Sequence, residues 1–403
     1  MHLHPFYITC TVIDVLAVVA VLGLLACWLG VLPQMPVPAI DAAMSRLIGM
    51  AIALLTVSSF GILGARSLEL DGGQWVALLP TLPLALKVTH FGHVWLLRLP
   101  ALCLLWFGWK KIGRRRRRAW PAWVMIAAAA AIALARSETG HAADHGDFTL
   151  AVWVDWVHLV AGSVWVGSLF GMSLVVFPRL LSEAQRPPLR AAEIFQRLSA
   201  LSGLALGAVL VSGAYTAWHE LQSWSSLWTS QYGRILTVKL LLVAGMIALG
   251  ARNRYGHLPC LLRLSGRSAQ RPLLLRLLGT ASDGYAAQTP DEGSVVRRCA
   301  RTVHLESLLG MGVILAASML LHSMPASEMR DMPVARLRSR PLLRQHYCVD
   351  IGIWSRGNGR FWNAACPAGH AQHAILTNSS CGWHVTIAAG PARAYTAPCS
   401  IST

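Results

Sequence analysis

The chain carries few charged residues for its length. Asp, Glu, Lys and Arg make up 13% of its 403 residues, whereas hydrophobic residues make up 55%. A soluble protein has about 25% charged residues, so this composition excludes an ordinary soluble fold. Apolar runs of roughly 20 residues recur along the chain, and each is long enough to cross a bilayer as a helix.

The sequence also lacks the motifs of the common enzyme and metal-site classes. It contains no Walker phosphate-binding motif, no nucleophile elbow and no paired catalytic carboxylates. Its nine cysteines are scattered without a CxxC spacing, which gives zinc and thioredoxin-like sites no support. We therefore expect no enzymatic activity and no direct use of ATP.

The net charge of +17 does not indicate nucleic-acid binding, because the cations lie mainly in loops between apolar runs. The loops at 110–118, 179–197 and 252–298 are rich in Lys and Arg. All three fall on one side of the membrane if the chain crosses it eight times. Cytoplasmic loops carry an excess of Lys and Arg, so we expect both termini on the periplasmic side of a bacterial inner membrane.

The apolar runs predict an all-α polytopic membrane protein, because lipid offers the backbone no hydrogen-bond partners outside a helix. The first run lacks the basic start of a signal peptide, so we expect it to remain as an anchor. The eight predicted transmembrane helices cover about 10–32, 44–64, 89–109, 119–136, 150–177, 198–218, 233–251 and 301–322.

Two matching phrases indicate an internal repeat. Residues 89–99 and 230–240 both read small polar, polar, aromatic, Gly, basic and then an apolar run that holds one cation, Arg98 or Lys239. Neither cation has an obvious role; a structural one is favoured, and Arg98 has no evident acidic partner in its own half. The repeat predicts two tandem four-helix halves, 1–149 and 150–324.

Residues 325–403 are predicted to be an irregular tail, because the hydrophobic periodicity stops there. We expect this tail to be disordered or to be out-of-frame translation. A small disulfide-bearing appendage is the alternative, and it would use Cys348, Cys366, Cys381 and Cys399.

Residues 150–322 resemble the copper resistance D (CopD) family of bacterial inner-membrane proteins. The family phrases are Trp156-Val157-His158-Leu159, Trp165-Val166-Gly167, Ser212-Gly213 before Trp218, Tyr232-Gly233-Arg234 with Lys239, Gly250-Ala251-Arg252-Asn253-Arg254, and Glu306. The resemblance implies copper transport across the inner membrane that contributes to copper homeostasis and resistance. It also implies uptake into the cytoplasm beside a periplasmic copper-binding partner, with copper as the transported or bound ion.

His158 is the leading candidate copper ligand. Imidazole suits either copper oxidation state, and ionisable residues at membrane depth are often functional. Asp155 lies one turn before it, and we expect this carboxylate to orient the imidazole. The alternative is a histidine that simply hydrogen bonds to a neighbouring helix.

Two further pairs are candidate ligands near the periplasmic ends of their helices. His90 and His93 have the i, i+3 spacing that lets two rings reach one ion, although both could instead face water. His322 and Met324 combine an imidazole with a thioether, which suits copper entry.

Two other functions remain open from the sequence. A b-type haem electron-transfer protein would hold haem between histidines on facing helices, for which His90, His93 and His158 are in suitable segments. A scaffold that docks a periplasmic copper chaperone without conducting metal is the other alternative.

Overall fold

A computed structural model describes most of the chain. The described residues are 3–32, 37–70, 78–112, 120–140, 148–182, 188–220, 225–264 and 292–321, together with five strands between 348 and 398. The chain divides into two compact units, Met1–Asp331 and Met332–Thr403, and each is described by itself.

Within its described residues, the first unit consists of helices. Short π-helical turns at Cys27–Val31, Met172–Val176 and Arg252–His257 continue α1, α7 and α11. The helices are α1 (Leu3–Ala26), α2 (Pro38–Leu70), α3 (Leu78–Val88), α4 (His90–Leu96), α5 (Arg98–Ile112), α6 (Trp120–Ser137), α7 (Leu150–Gly171), α8 (Phe177–Ser182), α9 (Pro188–Glu220), α10 (Ser226–Thr229), α11 (Gln231–Ala251), α12 (Leu258–Leu264) and α13 (Glu292–Leu320).

Eight candidate membrane spans occur in the described part of the chain, which confirms the predicted all-α polytopic fold. Several helices are longer than predicted. The second is 33 residues long, or about 50 Å at 1.5 Å per residue, so it extends beyond a bilayer core. The spans are Pro5–Val31, Pro38–Leu70, His90–Ile112, Trp120–Ser137, Leu150–Leu181, Ala191–His219, Gln231–Leu264 and Gly293–Leu320.

The repeated phrases adopt the same local structure in the two halves. The Thr89 hydroxyl accepts a hydrogen bond from the Gly92 amide at 3.0 Å, and the Ser230 hydroxyl accepts one from the Gly233 amide at 2.9 Å. Each hydroxyl therefore caps the start of a helix, α4 or α11, by satisfying a backbone donor of its first turn.

The first helix of each half forms the centre of the fold. Helix α1 packs against α2, α6, α7 and α13. At its crossing with α7, a Cβ added to Gly167 would lie 2.3 Å from the Val19 carbonyl oxygen and 2.7 Å from the Gly23 Cα. Small residues let membrane helices approach this closely, so Gly23 and Gly167 set the distance between the two halves.

We expect Gly167→Ala to destabilise the protein by about 1–3 kcal/mol, because the added methyl group must push α1 and α7 apart. The measurement is the midpoint of thermal unfolding in detergent. Gly162→Ala is the matched control, since it lies on the same helix and a Cβ there has nothing within 4 Å. Equal midpoints for the two variants would contradict this account of the crossing.

The second unit forms two antiparallel sheets, with strand orders β1-β2 and β3-β4-β5. These strands lie within 325–403, the stretch that the sequence predicts to be an irregular tail. Apolar alternation is present at 349–353 and at 383–387, but each stretch holds only three alternating residues and falls short of a clear strand signal. The strands are β1 (Cys348–Trp354), β2 (Phe361–Pro367), β3 (His373–Ser379), β4 (Gly382–Ala389) and β5 (Arg393–Pro398).

Of the four cysteines of the disulfide alternative, Cys381 and Cys399 lie outside the described residues. The disulfide alternative and the domain limits at 149, 324 and 325 stay predictions.

Candidate functional site

His158 is held by a hydrogen bond from α7 to α9. Its Nδ1 lies 3.0 Å from the Ser212 Oγ, and this hydroxyl donates to the Ala208 carbonyl oxygen at 2.6 Å. A serine hydroxyl has one proton to donate, so Nδ1 must carry the proton in its bond to Ser212. This tautomer gives Nε2 the lone pair that a metal ion would use.

Gly213 provides the room for the same imidazole ring. A Cβ added to Gly213 would lie 3.2 Å from the His158 Cε1 and 3.6 Å from its Nδ1. The Ser212-Gly213 phrase therefore supplies both a hydrogen-bond acceptor and a close backbone approach. Together the two residues fix the position and the tautomer of His158.

Asp155 does not make the contact with His158 that the sequence predicted. The orienting partner is Ser212, while Asp155 acts electrostatically on Lys239 of α11 and on Arg136 of α6. Residues three apart on a helix are offset by about 60° around its axis. Asp155 and His158 are therefore neighbours on α7, but the hydrogen bond to the imidazole comes from Ser212.

A buried ion pair joins the first and third spans of the N-terminal half. Asp14 on α1 is fully buried, and its carboxylate accepts hydrogen bonds from Arg98 Nη1 at 2.9 Å and Nη2 at 3.2 Å. The Ser59 hydroxyl also donates to Asp14 at 3.4 Å. The conclusion that Arg98 lacks an acidic partner in its half was wrong. Asp14 was missed because it is a lone acid inside the long apolar run of α1.

The C-terminal half places the same charges on equivalent helices. Asp155 lies on the first span of that half and acts electrostatically on Lys239 of its third span, as Asp14 does on Arg98. Arg136 lies between the two acids, with its Nη1 3.6 Å from Asp14. We call these five residues the charge network; they are Asp14, Arg98, Arg136, Asp155 and Lys239.

The charge network reaches the candidate ligand and carries an excess of one positive charge, because it contains three cations and two carboxylates. Lys239 acts electrostatically on His158 as well as on Asp155. His158 therefore lies beside a network that joins the two halves of the protein. Sequence reasoning had singled out only Arg98, Lys239 and Asp155.

Of the other predicted ligands, the structure describes only the pair on α4. His90 and His93 are exposed on α4, and the His93 Nε2 lies 3.1 Å from the Lys87 carbonyl oxygen. His322 and Met324 lie outside the described residues. In the described part of the chain, no group of three or more His, Cys, Asp or Glu side chains is placed to hold a metal ion.

Two family models and one curated relative match this chain. Residues 2–149 match the family model "Copper resistance protein D-like, N-terminal domain", and residues 192–320 match "Copper resistance protein D". The chain is 36% identical over 120 residues to "Copper transport protein CutJ" of Bacillus subtilis (strain 168). That match covers 29% of this chain but only 21% of the relative.

No solved structure matches the chain. The two family models fall on the two membrane halves, and both carry the copper resistance D description. The Ser212 and Tyr232 phrases lie within the second match, and this chain belongs to the copper resistance D (CopD) family of membrane proteins.

Proposed function

We propose that this protein moves copper across the bacterial inner membrane into the cytoplasm, and that His158 binds the ion in transit. The observation that supports this role is the hydrogen bond from His158 to Ser212, because it fixes an imidazole with its Nε2 lone pair inside a membrane-spanning helix. Copper is the substrate, and the proposal needs no covalent chemistry.

The electrostatics around His158 suit transit better than storage. Transport requires a site that binds an ion strongly enough to accept it and weakly enough to release it. The charge network carries one positive charge in excess, and its Lys239 acts on His158. A neighbouring positive charge weakens cation binding at the imidazole, so a copper ion would not stay trapped there.

The entry side follows from the loop charges. The loops at 110–118, 179–197 and 252–298 are rich in Lys and Arg, which supports placing them in the cytoplasm. Copper would then enter from the other, periplasmic side. His90 and His93 then lie on the periplasmic side, exposed and ready to receive copper from a periplasmic copper-binding protein. His322 and Met324 are proposed as a second pair of ligands for copper entry. Asp155 is proposed to act on the path through its electrostatic effect on Lys239, and not as a copper ligand.

The haem alternative receives no specific support from the geometry. His158 hydrogen bonds to the Ser212 hydroxyl and the Val209 backbone, Gly213 lies close to its ring, and Lys239 acts on it electrostatically. The other histidines considered for haem are exposed on α4. Copper transport is therefore the function that the site favours.

The test is cell-associated copper, measured by elemental analysis in bacteria that express the intact chain or the chain ending at Pro325. At matched membrane levels, both should accumulate more copper than an empty-vector control. Copper below the control would overturn the inward direction. Copper equal to the control would overturn the proposal that this chain imports copper by itself. A haem absorption band in the purified protein would then favour electron transfer.

A further inference from the structure

The C-terminal half contains a cavity that the copper path does not use. Its volume is about 280 Å³, and residues of α7, α9, α11 and α13 line it. Most of the lining is apolar, with Trp165, Leu169 and Phe195 among its side chains. Glu306, Asn253 and Ser202 add polar groups.

Glu306 is a buried carboxylate whose side chain makes one hydrogen bond and no ion pair within the described residues. Its side chain belongs to a residue that is 4% exposed, and its Oε1 accepts a hydrogen bond from Asn253 Nδ2 at 3.0 Å. Among the ion pairs of the described residues, none involves Glu306. An unpaired buried carboxylate is costly in an apolar setting, so this one has room for a positive partner.

Two further oxygens in the cavity lack hydrogen-bond partners. The Asn253 Oδ1 and the Ser202 Oγ are both buried and make no hydrogen bond. Because the Asn253 amide donates to Glu306 through Nδ2, its Oδ1 is left as an acceptor. An ionised carboxylate and an amide oxygen accept but do not donate, and a serine hydroxyl oxygen has lone pairs as well as a proton, so these three oxygens could act as ligands of a cation.

Arg254 lies at the cavity without neutralising Glu306. Its Nη1 donates to the Ser199 carbonyl oxygen at 3.1 Å, and a Cβ on Gly203 would lie 2.9 Å from the same Nη1. The guanidinium is exposed and packs against α9. It therefore leaves the carboxylate to another cation.

We propose that this cavity binds a hard monovalent cation, with Na⁺ as the ligand, through Glu306, Asn253 Oδ1 and Ser202 Oγ. Oxygen donors suit hard cations, whereas Cu(I) prefers sulfur. One carboxylate balances one positive charge, and the volume leaves space for waters that remain on the ion. Cation binding stands without the copper function, but a role for this ion in driving copper transport rests on the proposed function.

The experiment is binding of ²²Na⁺ to the purified full-length protein in detergent, by scintillation proximity. The intact chain should show saturable binding that NaCl displaces and choline chloride does not. Glu306→Gln should weaken binding at least about tenfold, which corresponds to 1.4 kcal/mol. Ser202→Ala removes an uncharged oxygen ligand and should also weaken ²²Na⁺ binding. This variant tests the site if Glu306→Gln fails to fold.

Glu193→Gln is the matched control, because Glu193 pairs with Arg197 and is partly exposed outside the cavity lining. It should bind ²²Na⁺ as the intact chain does. The proposal is overturned if binding is not saturable, or if both cavity variants bind normally. Met246 also lines the cavity. The proposal is overturned as well if Cu(I) displaces ²²Na⁺ and Met246→Leu abolishes that displacement, because the cavity would then be a copper site.

Copper accumulation by the same variants separates this inference from the proposed function. Saturable, Glu306-dependent ²²Na⁺ binding by a chain that does not accumulate copper would overturn the transport proposal and support the cation site. Copper accumulation without ²²Na⁺ binding would overturn the cation site alone.

Discussion

Replacing His158 by alanine should reduce cell-associated copper to the empty-vector level. The variant removes the Nε2 lone pair that the Ser212 hydrogen bond makes available within the membrane, and no nearby side chain on α9 replaces it. The measurement is elemental analysis of cells at matched membrane levels of each chain. His304→Ala is the control, because that histidine is exposed on α13 and hydrogen bonds to Ser173.

Two variants of the α9 contact distinguish a ligand from a merely structural histidine. Ser212→Ala removes the hydrogen bond that fixes the tautomer of the His158 ring. Loss of such a supporting hydrogen bond weakens metal binding by about 10–100-fold. Gly213→Ala places a methyl group 3.2 Å from the His158 Cε1. Both should lower copper accumulation while the proteins remain folded. Accumulation that is normal in His158→Ala, or unaffected in both α9 variants, would contradict the proposed role.

Much of the fold follows from hydropathy and loop charge. The eight spans are long, uninterrupted apolar runs, and a membrane allows such runs few structures other than helices. The repeat can be recognised in the sequence because its residues make local interactions. Thr89 and Ser230 each cap the helix that begins next to them. The strands of the second unit lie where few apolar residues alternate, so periodicity does not indicate them.

The candidate site was predictable only in part, because its contacts join distant positions in the chain. His158 was found from its phrase, but Ser212 lies 54 residues later on another helix. The Asp14–Arg98 contact spans 84 residues. Periodicity shows which face of a helix is apolar, but it does not show which helices pack together. The pairing of charges across α1, α5 and α6 therefore required the three-dimensional structure.

Asp14→Ala should be the most destabilising single substitution in the charge network. Asp14 is fully buried, and its carboxylate accepts hydrogen bonds from Nη1 and Nη2 of Arg98. Removing it leaves a buried cation without its partner. Breaking one member of a buried pair costs about 3–5 kcal/mol. The measurement is thermal unfolding in detergent, with membrane yield as a second readout.

The surface pair Arg66–Glu69 provides a comparison at similar distance. Its nitrogen and oxygen lie 3.1 Å apart, but the two side chains are 38% and 35% exposed. Glu69→Ala should therefore cost less than about 1 kcal/mol, since solvent screens exposed pairs. A similar loss in Asp14→Ala and Glu69→Ala would contradict the claim that burial makes the first pair critical.

The double variant Asp14→Leu with Arg98→Met tests whether the pair provides stability or function. Replacing both members of a buried pair by apolar residues is often neutral or stabilising, and Asp155 still acts electrostatically on Arg136. The double variant should therefore unfold closer to the intact chain than Asp14→Ala does. If it folds well but accumulates no copper, the repeated acid–base pairs serve the transport path. If it folds well and accumulates copper normally, the Asp14–Arg98 pair serves only to hold the first and third spans of the N-terminal half together.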